Sequence, residues 1–90
     1  MRKIFKYPIT LHEEFTVQMP FDAGVLKVMV QNDLPYFWAA VDLKHPLAPR
    51  KFRVVATGET IPDNWRLTYV DSFMMHDGKF VFHLFEVAGE

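Results

Sequence analysis

The side chains whose types and spacing carry the most chemistry lie in the middle of the chain. Arg50 and Arg53 stand three residues apart, Thr57 and Gly58 follow, and Tyr36 and Trp38 precede them. An arginine fork makes bidentate contact with phosphate, and an aromatic plate stacks on a base. The Thr57 hydroxyl and the Gly58 backbone would bond ribose or phosphate. With a further donor from His83, the candidate site for a nucleotide-like ligand is Trp38, Arg50, Arg53, Thr57, Gly58 and His83. A plainer arrangement uses the same residues. Arg53 would pair with a cross-strand acid such as Asp42, while Trp38 and His83 would be core residues. Surface ion pairs, aromatic cores and paired buried polar groups are ordinary features of proteins.

No catalytic motif stands beside this grouping. The four glycines are scattered, and Ala56-Thr57-Gly58-Glu59-Thr60 is unlike a phosphate-binding loop. Ser72, the only serine, lacks a glycine-flanked elbow. The histidines at 12, 45, 76 and 83 never fall at i, i+2 or i, i+4, so no metal site is expected. Glu13 and Glu14 are adjacent and would point to opposite faces of a strand. The expectation is a binding protein with no enzymatic activity, no cofactor and no metal.

The elements that must position these residues are strands. Period-two alternation recurs from end to end. It predicts strands over 3–9, 15–19, 25–31, 36–42, 51–57, 66–74 and 80–87. Pro8 marks the first as an edge or ends it. In the third, Leu26, Val28 and Val30 should share a face, and in the fourth Phe37, Ala39 and Val41 should. Asn32-Asp33 and Asp77-Gly78 are hairpin signals. Residues 43–49, with Pro46 and Pro49, read as a loop. Residues 58–64 read as a loop or one helical turn. The last strand is apolar on nearly both faces and should be central or lie in an interface. The expected fold is all-β and mainly antiparallel: one domain over 1–90, a small barrel or sandwich of six to seven short strands. A helix over 10–14 or 61–66, packed across an open sheet, is the weaker alternative.

Composition narrows the partners. Half of the 90 residues are hydrophobic and 16% are aromatic, which is rich for so short a chain. An apolar excess of this kind points to a contiguous surface patch and to homo-oligomerisation. Net charge is −1, which argues against generic nucleic-acid binding. There is no cysteine, so a disulfide scaffold and a thiolate chemistry are excluded. No apolar run approaches the roughly 18 residues of a membrane span. The charged start Met1-Arg2-Lys3 lacks the apolar stretch of a secretory signal. An intracellular, membrane-free protein is expected.

Several fragments, in order, form a pattern: Lys3-Ile4-Phe5-Lys6-Tyr7-Pro8, Met19-Pro20, Val25-Leu26-Lys27-Val28, Phe37-Trp38-Ala39, Thr57-Gly58, Ile61-Pro62, and Phe82-His83 with Phe85-Glu86. In this the chain resembles a family of small tailed-phage and prophage accessory proteins to which no catalytic residues are assigned. The resemblance implies a phage accessory protein acting in the host bacterial cytoplasm. By analogy of size and source, it would be an anti-defence sponge for a cyclic nucleotide or cyclic ADP-ribose-type signal. The alternatives are an inhibitor of a host defence protein and a virion or assembly accessory.

Overall fold

The computed structural model describes residues 1–11 and 14–88. Among them the chain forms seven strands and no helix: β1 (Lys3–Pro8), β2 (Glu14–Pro20), β3 (Gly24–Gln31), β4 (Leu34–Val41), β5 (Leu47–Ala56), β6 (Leu67–Met75) and β7 (Phe80–Val87). All pairings are antiparallel. One sheet has three strands in the order β1-β4-β3, the other four in the order β2-β5-β7-β6. The result is an open sandwich rather than a closed barrel. Of the two helices offered as the weaker alternative, none forms over 61–66, and His12 and Glu13 of the other lie outside the described residues. No described helix is long and apolar enough to cross a membrane.

The alternation expected in β4 holds. Phe37, Ala39 and Val41 of β4 are fully buried, while Tyr36, Trp38 and Ala40 face outward. Phe52 and Leu84 fill the facing layer of the four-stranded sheet. An aromatic row crosses the sandwich: Tyr7 stacks on Phe37 with centroids 5.3 Å apart, Phe37 meets Phe52 at 4.9 Å, and Phe52 stacks on Phe15 at 5.6 Å. Phe37 and Phe52 come from different sheets, so this contact ties the layers together. Phe37 and Phe52, both fully buried, each contribute about 1.5–3 kcal/mol by leaving water.

Turn chemistry fixes the hairpins. Asn32 and Asp33 both adopt positive φ, 53° and 62°, as the two central residues of a type I′ turn must. The second hairpin is longer than its Asp-Gly signal implies. Its four residues run from His76 to Lys79, with positive φ at His76, Asp77 and Gly78.

Two expectations need correction. Leu26 does not face inward with Val28, because a bulge between Val25 and Lys27 displaces it and leaves it 55% exposed. The extra residue lets Val25 and Val28 both point to the core. A second bulge, between Tyr69 and Asp71, instead turns its extra residue, Val70, against the core. Finally, residues 47–49 belong to a strand. Pro49 pairs with Gln18 of β2, whereas β7 lines β5 only over Phe52–Ala56. On that open side the missing N–H of Pro49 deprives no partner.

Candidate functional site

The outer face of the four-stranded sheet carries the polar chemistry. Arg53 of β5, Phe85 of β7 and Tyr69 of β6 form one transverse row, and Val55, His83 and Ser72 the next. The segment 58–66 folds over this face. A turn closed by Glu59 N–H to Ala56 carbonyl, 3.0 Å, begins it. Gly58 occupies the third position of that turn with φ 94°, the conformation that type II geometry demands and that glycine adopts without cost. The Glu59 carboxylate accepts from Ala56 N–H at 2.6 Å and holds the turn against the strand end. The segment then covers Val55, which is 6% exposed although it points away from the core. It ends by laying the Trp65 ring against Arg53, whose guanidinium carbon is 3.7 Å from the ring centroid.

Trp65 divides this surface into two hollows. The larger, about 340 Å³, is lined by Arg53, Asn64, Trp65, Arg66, Leu67 and Glu14, among others. The smaller, about 170 Å³, lies between Val55, Thr60, Pro62 and the other side of the indole. The larger volume is at the lower bound of small-molecule sites. Arg53 donates through Nη2 to Glu14 at 3.0 Å. Arg66 has no carboxylate partner among the described residues. One groove thus combines two guanidinium groups, an indole, an amide and one carboxylate.

The second row is a chain of hydrogen bonds. Tyr69 Oη lies 2.7 Å from Ser72 Oγ, Ser72 Oγ 2.7 Å from His83 Nδ1, and His83 Nε2 2.7 Å from Thr57 Oγ1. Thr57 also donates to the Val81 carbonyl at 3.3 Å. That bond fixes the direction of the rest by assignment. Thr57 must accept from His83 Nε2–H, so Nδ1 is the acceptor for Ser72, and Ser72 accepts from Tyr69. Both ring nitrogens of His83 are therefore satisfied by protein hydroxyls, but on the half-buried outer face of the sheet and not in the core.

The six expected site residues do not form one site. Arg53, Thr57, Gly58 and His83 lie on the outer face of the four-stranded sheet or at its rim. Arg50 is on the opposite, inner face, because it shares the even-numbered side of β5 with Phe52 and Val54. Its Nε and Nη2 donate to the two Glu86 oxygens at 2.7 and 2.8 Å, and Nη1 donates to the Ala23 carbonyl. Those Glu86 bonds raise the Arg50 pKa above its ordinary value and hold the fork closed to an outside phosphate. Trp38 belongs to the other sheet altogether, so sequence proximity between β4 and β5 does not become spatial proximity. Asp42 is in the same position relative to Arg53, whose partners are Glu14 and Trp65 instead. Trp65, Arg66 and Asn64 are the groove residues that sequence reading missed. Their signal was present in Asn64-Trp65-Arg66, an indole between an amide and a guanidinium in a polar loop. Among the described residues no group of three or more His, Cys, Asp or Glu is placed to hold a metal ion.

The chain belongs to the family described as a domain of unknown function, DUF7352, which it matches over residues 1–90. No curated protein and no solved structure matches it.

Proposed function

We propose that this member of the DUF7352 family is a binding protein that holds a nucleotide-like small molecule without turning it over. The observation that carries this reading is the groove beside Trp65. Two guanidinium groups supply phosphate recognition, the indole supplies a stacking surface, and Asn64 supplies an amide for a base or sugar edge. The single carboxylate among its described residues, Glu14, is spent on Arg53. No described residue of the groove is placed as a nucleophile, and the serine–histidine contact lies in the adjacent row, with Ser72 held between Tyr69 and His83. The resemblance to phage accessory proteins supports a setting in the host bacterial cytoplasm. There such a protein would sequester a cyclic nucleotide or cyclic ADP-ribose-type immune signal by mass action. Exposed Tyr69 and Met74 on the same sheet face support self-association around that site.

A thermal-shift screen against cyclic oligonucleotides, cyclic ADP-ribose isomers and ordinary nucleotides tests this. A ligand at a hundred times its dissociation constant stabilises the fold by about 2.7 kcal/mol, which raises Tm by roughly 10 °C or more in a domain this small. Trp65→Ala and Arg66→Ala should each abolish most of the shift. Glu14→Gln, which removes the only carboxylate among the described residues of the groove, should increase it. A flat screen, or a shift indifferent to all three substitutions, overturns the reading. A host protein co-purifying in stoichiometric amount would then favour the inhibitor alternative.

A further inference from the structure

The outward face of the three-stranded sheet is independent of the Trp65 groove and has its own chemistry. Trp38 sits at its centre. In register, its neighbour on β1 is Lys6 and its neighbour on β3 is Lys27. Tyr36 follows two residues away on the same face, with Lys6 Nζ 4.5 Å from its ring centroid. Its rings and those of Trp38 meet edge to face at 6.2 Å. Ile4 and Met29, 64% and 44% exposed, extend the apolar surface on either side. The three strands together contain Lys3, Lys6 and Lys27 and no Asp or Glu. The nearest carboxylates along the chain, Asp33 and Asp42, lie at opposite ends of β4, in turns.

Neither flanking lysine is neutralised by a close ion pair. Lys6 Nζ donates to Gln31 Oε1 at 3.0 Å. Lys27 is 61% exposed and reaches Asp71 only at 3.9 Å, a surface contact of little strength. A second copy of the chain would bring lysines against lysines across such a face. A polyanion with flat rings would match it.

We propose that this face binds single-stranded nucleic acid, with bases stacked on Trp38 and Tyr36 and phosphates against Lys6 and Lys27. Open β-sheet faces with solvent-facing aromatics suit splayed bases, and base–aromatic stacking tolerates any sequence. A net charge of −1 is an average over the whole chain and leaves room for one sheet with three lysines and no acid.

The test is fluorescence anisotropy with a labelled oligothymidylate of about twelve nucleotides, within the site sizes of such platforms. The logarithm of affinity should fall with that of salt concentration with a slope of about −1.4, for two phosphates neutralised. Lys6→Gln or Lys27→Gln should each reduce that slope by about 0.7. Trp38→Ala should weaken binding about fivefold or more, and Trp38→Phe less. Trp65→Ala should leave oligonucleotide binding intact, which separates this surface from the groove. Absence of binding by the unmodified protein at low salt overturns the proposal, as does binding indifferent to the Lys6, Lys27 and Trp38 substitutions. A dimer that Trp38→Ala dissociates, without oligonucleotide affinity, assigns the face to a second copy and overturns it equally.

Discussion

At the scale of single residues, charge pairing decides which groups remain for a ligand. Arg50 and Arg53 look equivalent in sequence, yet one closes on Glu86 inside the sandwich and the other stacks on Trp65 outside it. A third pairing joins two turns. His45 Nδ1 lies 2.7 Å from Asp22 Oδ1, and Phe21 N–H donates to the Pro46 carbonyl at 3.1 Å beside it. The hydrogen bond raises the His45 pKa above 6.5 and lowers that of Asp22 below 3.8. The His45 contribution is complete below 6.5 and disappears as pH rises through its folded value. The Asp22 contribution is complete above 3.8 and disappears as pH falls through its own. The pair therefore stabilises the fold most between about 3.8 and 6.5. Proton NMR titration should give His45 a midpoint above 6.5, and Asp22→Asn should return it toward that value. A His45 midpoint at or below 6.5 in the unmodified protein would refute the pairing.

At the scale of elements, the sandwich depends on a few rings shared between layers. β7 is central in its sheet, flanked by β5 and β6, which explains its apolar residues on both faces. Phe52 stands where β2, β5 and the opposite sheet converge, touching Phe15 and Phe37. Phe52→Ala leaves a void that neither sheet can close without shifting the other. It should cost about 3–5 kcal/mol, a large part of the 5–15 kcal/mol typical of whole domains. Urea unfolding measures this through the midpoint at constant slope. A loss below about 1 kcal/mol would show that the layers are held by something other than this stack.

At the scale of the whole molecule, the sandwich is thin, with extents of 40 × 34 × 16 Å. Its accessible surface is 6264 Å², against about 5,500 Å² for a monomer of this mass. A thin body leaves this extra surface open, and the exposed Tyr69 and Met74 are part of it. Sedimentation should accordingly detect a dimer or larger species as concentration rises. A monomer at every concentration would remove self-association from the proposed function. A matching loss of oligomer in a Met74→Lys variant would place the contact on the outer face of the four-stranded sheet.

The sequence by itself determined the all-β class, the number of strands within the expected range, and the shared face of Phe37, Ala39 and Val41 in β4. Strand periodicity is local, and a residue's side alternates whatever the neighbouring strand may be. It also determined the sites of both hairpins, since Asn32-Asp33 and Asp77-Gly78 tolerate positive φ without help from the rest of the fold. Bulges escaped it, because one extra residue at Leu26 or Val70 breaks the alternation without leaving a compositional mark. Only the tertiary structure decided the candidate site. Strand order is set by long-range pairing, so it alone could send Trp38 to one sheet and Arg53 to the other. It alone could fold residues 58–66 back to bring Trp65 onto Arg53. Which arginine is spent on an ion pair depends on which acid arrives beside it, and Glu86 is 36 residues from Arg50.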